Sequence, residues 1–140
     1  MPQTILLLAP NKLTLKDIVQ SRLAGRWGLH AVETDAVSEY QTHAEDFSWS
    51  ITIVDRGEDQ ETAEELKEDP QVPRALKSSL STKRFIWITF GDFEICRSIV
   101  QRMMSMDEEM YFDTGYNRCL TSREFLELIE QNPDYDWRSC

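Results

Sequence analysis

The chain has 140 residues, 25 of them Asp or Glu against 15 Lys or Arg, which gives a formal net charge of −10. This length fits one domain, and 41% hydrophobic residues with only five Gly and five Pro are enough for a buried core. The acidic balance argues against nucleic acid as a ligand, because phosphate recognition normally begins with a basic face. No apolar run approaches the roughly 20 residues of a membrane span and no signal peptide is recognisable, so we expect a cytoplasmic protein with no membrane contact.

The first half of the chain predicts strands that alternate with helices. Residues 5–8 form an all-apolar run, which is typical of a strand covered on both faces, and Thr14 can cap the helix that follows. The next predicted elements are a strand over residues 29–34, a weak helix over residues 36–45, a strand over residues 49–54 and an acidic helix over residues 58–69.

The second half continues the alternation. Residues 72–83 carry prolines and serines and predict a surface loop. The elements predicted after it are an apolar strand over 85–90, a helix capped by Asp92, a strand over 109–113, a short strand over 118–120 and a helix that begins with the capping box of Thr121 and Glu124 and stops at Asn132.

This order of elements predicts a single α/β domain over residues 1–140. Strands that alternate with helices favour a three-layer, doubly wound arrangement: a mainly parallel sheet of five or six strands, of the receiver or flavodoxin type. The two all-apolar runs belong at the centre of that sheet, since edge strands normally carry polar residues.

Three segments resemble the receiver domain of bacterial response regulators: ILLLAPN, SITIVDRG and FIWITFGD. The resemblance implies that Asp55 is the phosphoacceptor and that Thr89 is the hydroxyl that senses phosphorylation. The acidic pair that binds magnesium in receivers falls on Ala9 and Pro10, and the receiver lysine falls near Asp113. Because phosphoryl transfer needs a cation, these departures point to a degenerate receiver or to the same fold alone. Asp55 as a strand-end or helix-capping acid is the alternative.

No other pattern for catalysis or ligand binding is present. The two histidines and the three widely spaced cysteines match no triad, metal or disulfide spacing, and the first strand-to-helix turn lacks the glycines of a phosphate-binding loop. We therefore expect a protein that is not an enzyme and that has no metal site and no cofactor.

Two acidic regions stand out. Residues 58–69 hold seven acids and one base, and residues 107–136 hold nine acids and two bases, interleaved with aromatic residues. Carboxylates can steer a basic partner while aromatic side chains bury area against it. The candidate partner-binding residues are Glu58, Asp59, Glu61, Glu64, Glu65, Asp107, Glu108, Glu109, Tyr111, Asp113, Tyr116, Asp134, Tyr135, Asp136 and Trp137. The alternatives are that the acids serve solubility and that Tyr135 and Trp137 fold back over the last helix.

Small size, acidity and the expected cytosolic location give the chain a general look similar to bacterial immunity proteins and antitoxins. That likeness implies a non-enzymatic module that inhibits or regulates a basic protein, for example a nuclease toxin. The alternative function is that of a receiver or pseudo-receiver in signal transduction, with Asp55 as an active or vestigial phosphoacceptor.

Overall fold

A computed structural model describes residues 3–23, 27–32, 38–57, 59–104, 110–113 and 119–137. The strands are β1 (Gln3–Pro10), β2 (His30–Val32), β3 (Ser38–His43), β4 (Ser50–Gly57), β5 (Lys83–Phe90), β6 (Tyr111–Asp113) and β7 (Cys119–Thr121). The α-helices are α1 (Leu15–Ile18), α2 (Gln60–Glu68), α3 (Arg74–Lys77), α4 (Phe93–Met103) and α5 (Ser122–Gln131). A π-helical segment, Val19–Leu23, continues α1, and a 3-10 turn, Leu80–Thr82, precedes β5.

The seven strands form one sheet in the order β2-β3-β4-β5-β1-β6-β7. Each neighbouring pair among them is antiparallel. The predicted doubly wound, mainly parallel sheet of five or six strands is therefore wrong, and so is the receiver or flavodoxin type that it implied. The two all-apolar runs do lie in inner strands, β1 and β5, because those runs need cover on both faces.

The prediction of a parallel sheet fails for a physical reason. Apolar strands separated by helices are compatible with either strand direction, since direction depends on which distant strands pair. Here the helical connection between β4 and β5 returns the chain to the neighbouring position in the opposite direction. The predicted helix over residues 36–45 is also wrong: β3 occupies most of it, with Thr42 buried and Tyr40 half-buried on one face. The predicted loop over residues 72–83 contains α3 and the 3-10 turn.

The larger core lies on the first face of the sheet. Alternate strand residues such as Leu7, Ile53 and Ile88 pack there against apolar side chains of α1, α4 and α5. The N-terminal caps follow the sequence prediction, since the side chains of Thr14, Asp92 and Thr121 each accept a backbone N–H at the start of a helix. The order of strands and the position of these helices determine which sheet residues remain exposed to solvent.

The second face is covered over only part of its width. Leu6, Leu8 and Phe85 pack there beneath α2 and α3. Two rows of cross-strand neighbours beside this core are half-buried or exposed: His30, Gln41, Thr52, Thr89 and Thr4 in one row, and Val32, Glu39, Val54 and Trp87 in the next. We call these nine residues the open strip, because in the described part of the chain each is at least partly exposed to solvent, although Trp87 also packs against the second-face core.

Candidate functional site

Asp55 forms a buried junction between β4, β5 and the start of α1. Its carboxylate oxygens accept hydrogen bonds from the guanidinium of Arg84 at 3.3 and 3.2 Å. The backbone N–H groups of Leu15 and Gly57 donate to the same carboxylate, at 3.2 and 2.9 Å. Arg84 also donates to the carbonyl oxygen of Asn11, at 2.9 Å. Asp55 thus holds the first turn of α1 against the sheet, whereas the N-cap of that helix is Thr14.

Thr89 lies far from Asp55. In the antiparallel register Asp55 pairs with Ile86, whereas Thr89 pairs with Thr52 and with Thr4. Three residues along a strand span about 10 Å, and an odd spacing places the side chains on opposite faces of the sheet. The hydroxyl groups of Thr89 and Thr4 share a hydrogen bond at 3.2 Å. The receiver arrangement, in which Asp55 and Thr89 would face each other, is therefore not formed.

The aromatic candidates for partner binding are mostly core residues. Tyr135 and Trp137 fold back onto the first face, where Trp137 is only 1% exposed. Tyr111 is buried on the second face, with the ammonium of Lys83 5.5 Å from its ring centroid. These three rings are therefore not part of the candidate surface, because a side chain buried in the folded chain cannot anchor a partner. Tyr116 lies outside the described residues.

The acidic candidates have different surroundings. Three are exposed on α2: Glu61, Glu64 and Glu65. Asp59 caps α2 by accepting hydrogen bonds from the backbone N–H and the hydroxyl of Thr62, at 3.2 and 2.9 Å. Asp113 is half-buried at the end of β6. Asp134 is exposed and Asp136 half-buried in the segment after α5. Four lie outside the described residues: Glu58, Asp107, Glu108 and Glu109.

The structure brings two of these acids, Glu65 and Asp113, to one groove together with Asp69 and a tryptophan. It lies between α2 and the edge of the open strip and is lined by Thr4, Thr62, Glu65, Asp69, Trp87 and Asp113, with apolar residues between them. We call it the acidic groove. Its volume of about 170 Å³ is below the 300 Å³ or more that is typical of small-molecule sites. The groove is therefore sized for a single side chain rather than for a whole metabolite.

The Cys119 thiol reports the negative potential at this edge of the sheet. Burial raises the pKa of Cys119 to about 12, and the carboxylates of Asp113, Asp69 and Glu124 add to the rise. Nearby negative charges oppose formation of a thiolate, so the same field favours a cation. Sequence reasoning included Asp113 but missed Asp69 and Trp87. The available signal was the alternation of Phe85, Trp87 and Thr89 on one face of β5.

A second exposed feature lies at the hairpin between β3 and β4. Phe47 is 74% exposed and has a positive φ of 59°, a conformation that is unfavourable for a bulky side chain. Its backbone N–H donates to the carbonyl of Ala44, and its ring stacks on His43 with 4.3 Å between centroids. His43 lies two residues from Gln41 on β3, so Phe47 is on the same side of the sheet as the open strip.

We expect Phe47→Asn to leave stability unchanged or to raise it by up to about 1 kcal/mol, since asparagine tolerates positive φ and the phenyl ring is largely in water. Urea unfolding monitored by circular dichroism measures this. A loss of more than about 1 kcal/mol would assign the ring a structural role instead. A ring that the fold does not need is free to contact another molecule.

In the described residues, no group of three or more His, Cys, Asp or Glu is placed to hold a metal ion. None of the helices in the described ranges is long and apolar enough to cross a membrane. His30 and His43 are exposed, with ring centroids 6.4 Å apart.

Comparison with known proteins gives no match to a protein-family model, to a curated protein or to a solved structure.

Proposed function

We propose that the chain is a non-enzymatic module that binds a basic protein through the open strip and the acidic groove, and inhibits or regulates it. The proposal rests on the composition of the open strip on the second face of the sheet. The open strip combines half-buried apolar side chains (Val32, Val54 and Trp87) with carboxylates at its margin. Partly exposed apolar surface rimmed by charge is typical of a protein-binding site.

The charge of the molecule supports a basic partner rather than an acidic one. A net charge of −10 repels nucleic acid and anionic lipid, whereas it attracts a cationic protein over distances of about a Debye length, roughly 8 to 10 Å. Enzymes that act on nucleic acid carry cationic surfaces. An acidic module that covers such a surface competes with the substrate, so the form of the function that we put first is inhibition of a basic toxin such as a nuclease.

The experiment compares two variants with the same charge change at different places. Glu61→Lys/Glu65→Lys reverses exposed acids of α2 beside the groove, and Glu127→Lys/Glu130→Lys reverses exposed acids of α5 on the first face. Each variant raises the net charge by 4. We expect the α2 variant to slow association with a captured partner at least tenfold at low salt, and the α5 variant to slow it less than threefold.

Cross-linking and affinity capture supply the partner, and stopped-flow association with it measures the rates. The supporting result is a partner that the wild type and the α5 variant bind alike and that the α2 variant binds slowly. Equal slowing by both variants would mean that net charge alone governs binding, and the proposed interface would be wrong. Failure of the wild type to bind any basic protein would overturn the function.

A further inference from the structure

We infer that the acidic groove holds one arginine side chain of the partner, with its guanidinium group against the indole of Trp87 and its charge facing the carboxylates of Glu65, Asp69 and Asp113. This inference rests on the proposed function and assigns the chemistry that the site recognises.

The wall of the acidic groove includes a tryptophan. Trp87 is half-buried and held in place by the apolar residues of the second-face core, so it presents a fixed aromatic surface rather than a mobile one. Tryptophan is the aromatic residue that attracts cations best, at distances within about 6 Å of the ring. The groove thus attracts a cation in two ways: by cation–π interaction with the indole and by the negative charge of the carboxylates.

The carboxylates of the groove come from separate elements of the fold. Glu65 and Asp69 come from α2 and the residue after it, whereas Asp113 comes from β6 on the other side of β1. Asp69 is fixed, since one of its oxygens accepts the backbone N–H of Gln71 at 2.8 Å. Carboxylates on two sides of a groove suit a group with several donors pointing in different directions.

The ring and the oxygen atoms of the groove suit an arginine side chain better than a lysine side chain. The guanidinium group is planar, stacks on aromatic rings and carries five N–H donors, whereas the lysine ammonium is a compact and strongly hydrated charge. Thr4 and Thr62 add hydroxyl oxygens that can accept further N–H groups at the same groove. A volume of about 170 Å³ admits one such side chain and excludes a drug-sized ligand.

The test uses small probes, so it does not depend on finding the partner. Nα-acetyl-arginine methylamide is titrated into ¹⁵N-labelled protein, and the indole N–H signal of Trp87 is followed after assignment with Trp87→Phe. Nα-acetyl-citrulline methylamide, which has the same shape without the charge, is the matched control. The lysine analogue is the third probe. We expect millimolar binding of the arginine probe, at least threefold weaker binding of the lysine probe, and no saturable shift with citrulline.

Two double variants in and just after α2 test whether the groove carboxylates bind the arginine probe. Glu65→Gln/Asp69→Asn removes two groove charges, and Glu64→Gln/Glu68→Gln removes two exposed charges that do not line the groove. We expect the first to weaken arginine binding about three- to tenfold and the second to change it less than twofold. Circular dichroism checks that both fold.

Three outcomes would overturn the inference: equal shifts with citrulline and arginine, equal affinity for lysine and arginine, or equal weakening by the two double variants. The proposed function has its own test in the charge-reversal pair. If the groove does not bind the arginine probe but the α2 charge-reversal variant still associates slowly with the partner, the inference is wrong and the proposed function stands. Arginine binding without an effect of α2 reversal would remove the proposed function and leave only the selectivity of the groove for arginine.

Discussion

Trp137→Ala is expected to lower the free energy of unfolding by about 3 to 5 kcal/mol, the usual cost of truncating a large buried aromatic residue. The indole is 1% exposed. It packs among phenyl rings of three elements, with centroid distances of 4.5 Å to Phe93, 4.9 Å to Phe112 and 6.1 Å to Phe125. The segment after α5 therefore closes the core of the first face, and its loss exposes that core.

Urea unfolding followed by circular dichroism measures the change, with Trp137→Phe as the matched control. The indole N–H of Trp137 has no hydrogen-bond partner in the described residues, so the phenyl variant loses volume but no hydrogen bond. We expect Trp137→Phe to cost less than half as much as Trp137→Ala. A Trp137→Ala variant with wild-type stability and faster dissociation from a partner would restore this ring as an interface anchor.

Asp55→Asn is expected to cost about 3 kcal/mol, because it leaves the charge of Arg84 without its partner in a mostly buried place. The side chain of Asp55 is 3% exposed and that of Arg84 is 22% exposed, so we take the lower end of the range for buried pairs. The same change weakens the contacts that hold Leu15 and Gly57. Thermal and urea unfolding give the measurement.

A double-mutant cycle supplies the control. Arg84→Met removes the other charge, and we expect the double variant Asp55→Asn/Arg84→Met to lose at least 1 kcal/mol less than the sum of the single variants. Additive losses would show that the two residues do not interact. Unchanged stability of Asp55→Asn would contradict the structural role and reopen the question of what Asp55 does.

Local signals in the sequence predicted the helix caps and the two apolar strands, but not β3 or α3. The capping residues Thr14, Asp92 and Thr121 lie where the sequence placed them, because a cap depends only on residues three positions apart. The strands β1 and β5 were predicted because each contains a run of consecutive apolar residues, which is also a local signal. Strand direction was not predictable, since it depends on pairing between residues such as Leu7 and Ile86 that are distant in the chain.

The candidate site shows the same limit. Glu65 and Asp113 were selected from acidic composition, but nothing in the chain indicates that both meet Trp87 at one groove. The strand 85–90 was interpreted as apolar on both sides, although Trp87 and Thr89 lie on the partly open face. The opposite error came from Tyr135 and Trp137, where acidic neighbours suggested a surface and the ring contacts show a core.

The place of β1 in the sheet constrains how the chain reaches its native state. Leu7 pairs with Ile86 of β5 on one side and with Phe112 of β6 on the other, so β1 has no sheet neighbour until β5 has been synthesised and lacks its second neighbour until β6 follows. At roughly 5 to 20 residues per second, ribosomal synthesis of the chain between Leu7 and Ile86 takes on the order of 4 to 16 s. During that interval the most apolar strand of the protein is available to chaperones and to other nascent chains. Contacts of such long sequence separation also slow folding in general. The sheet of the nascent chain is therefore completed late, because both pairings of β1 wait for strands of the second half of the chain.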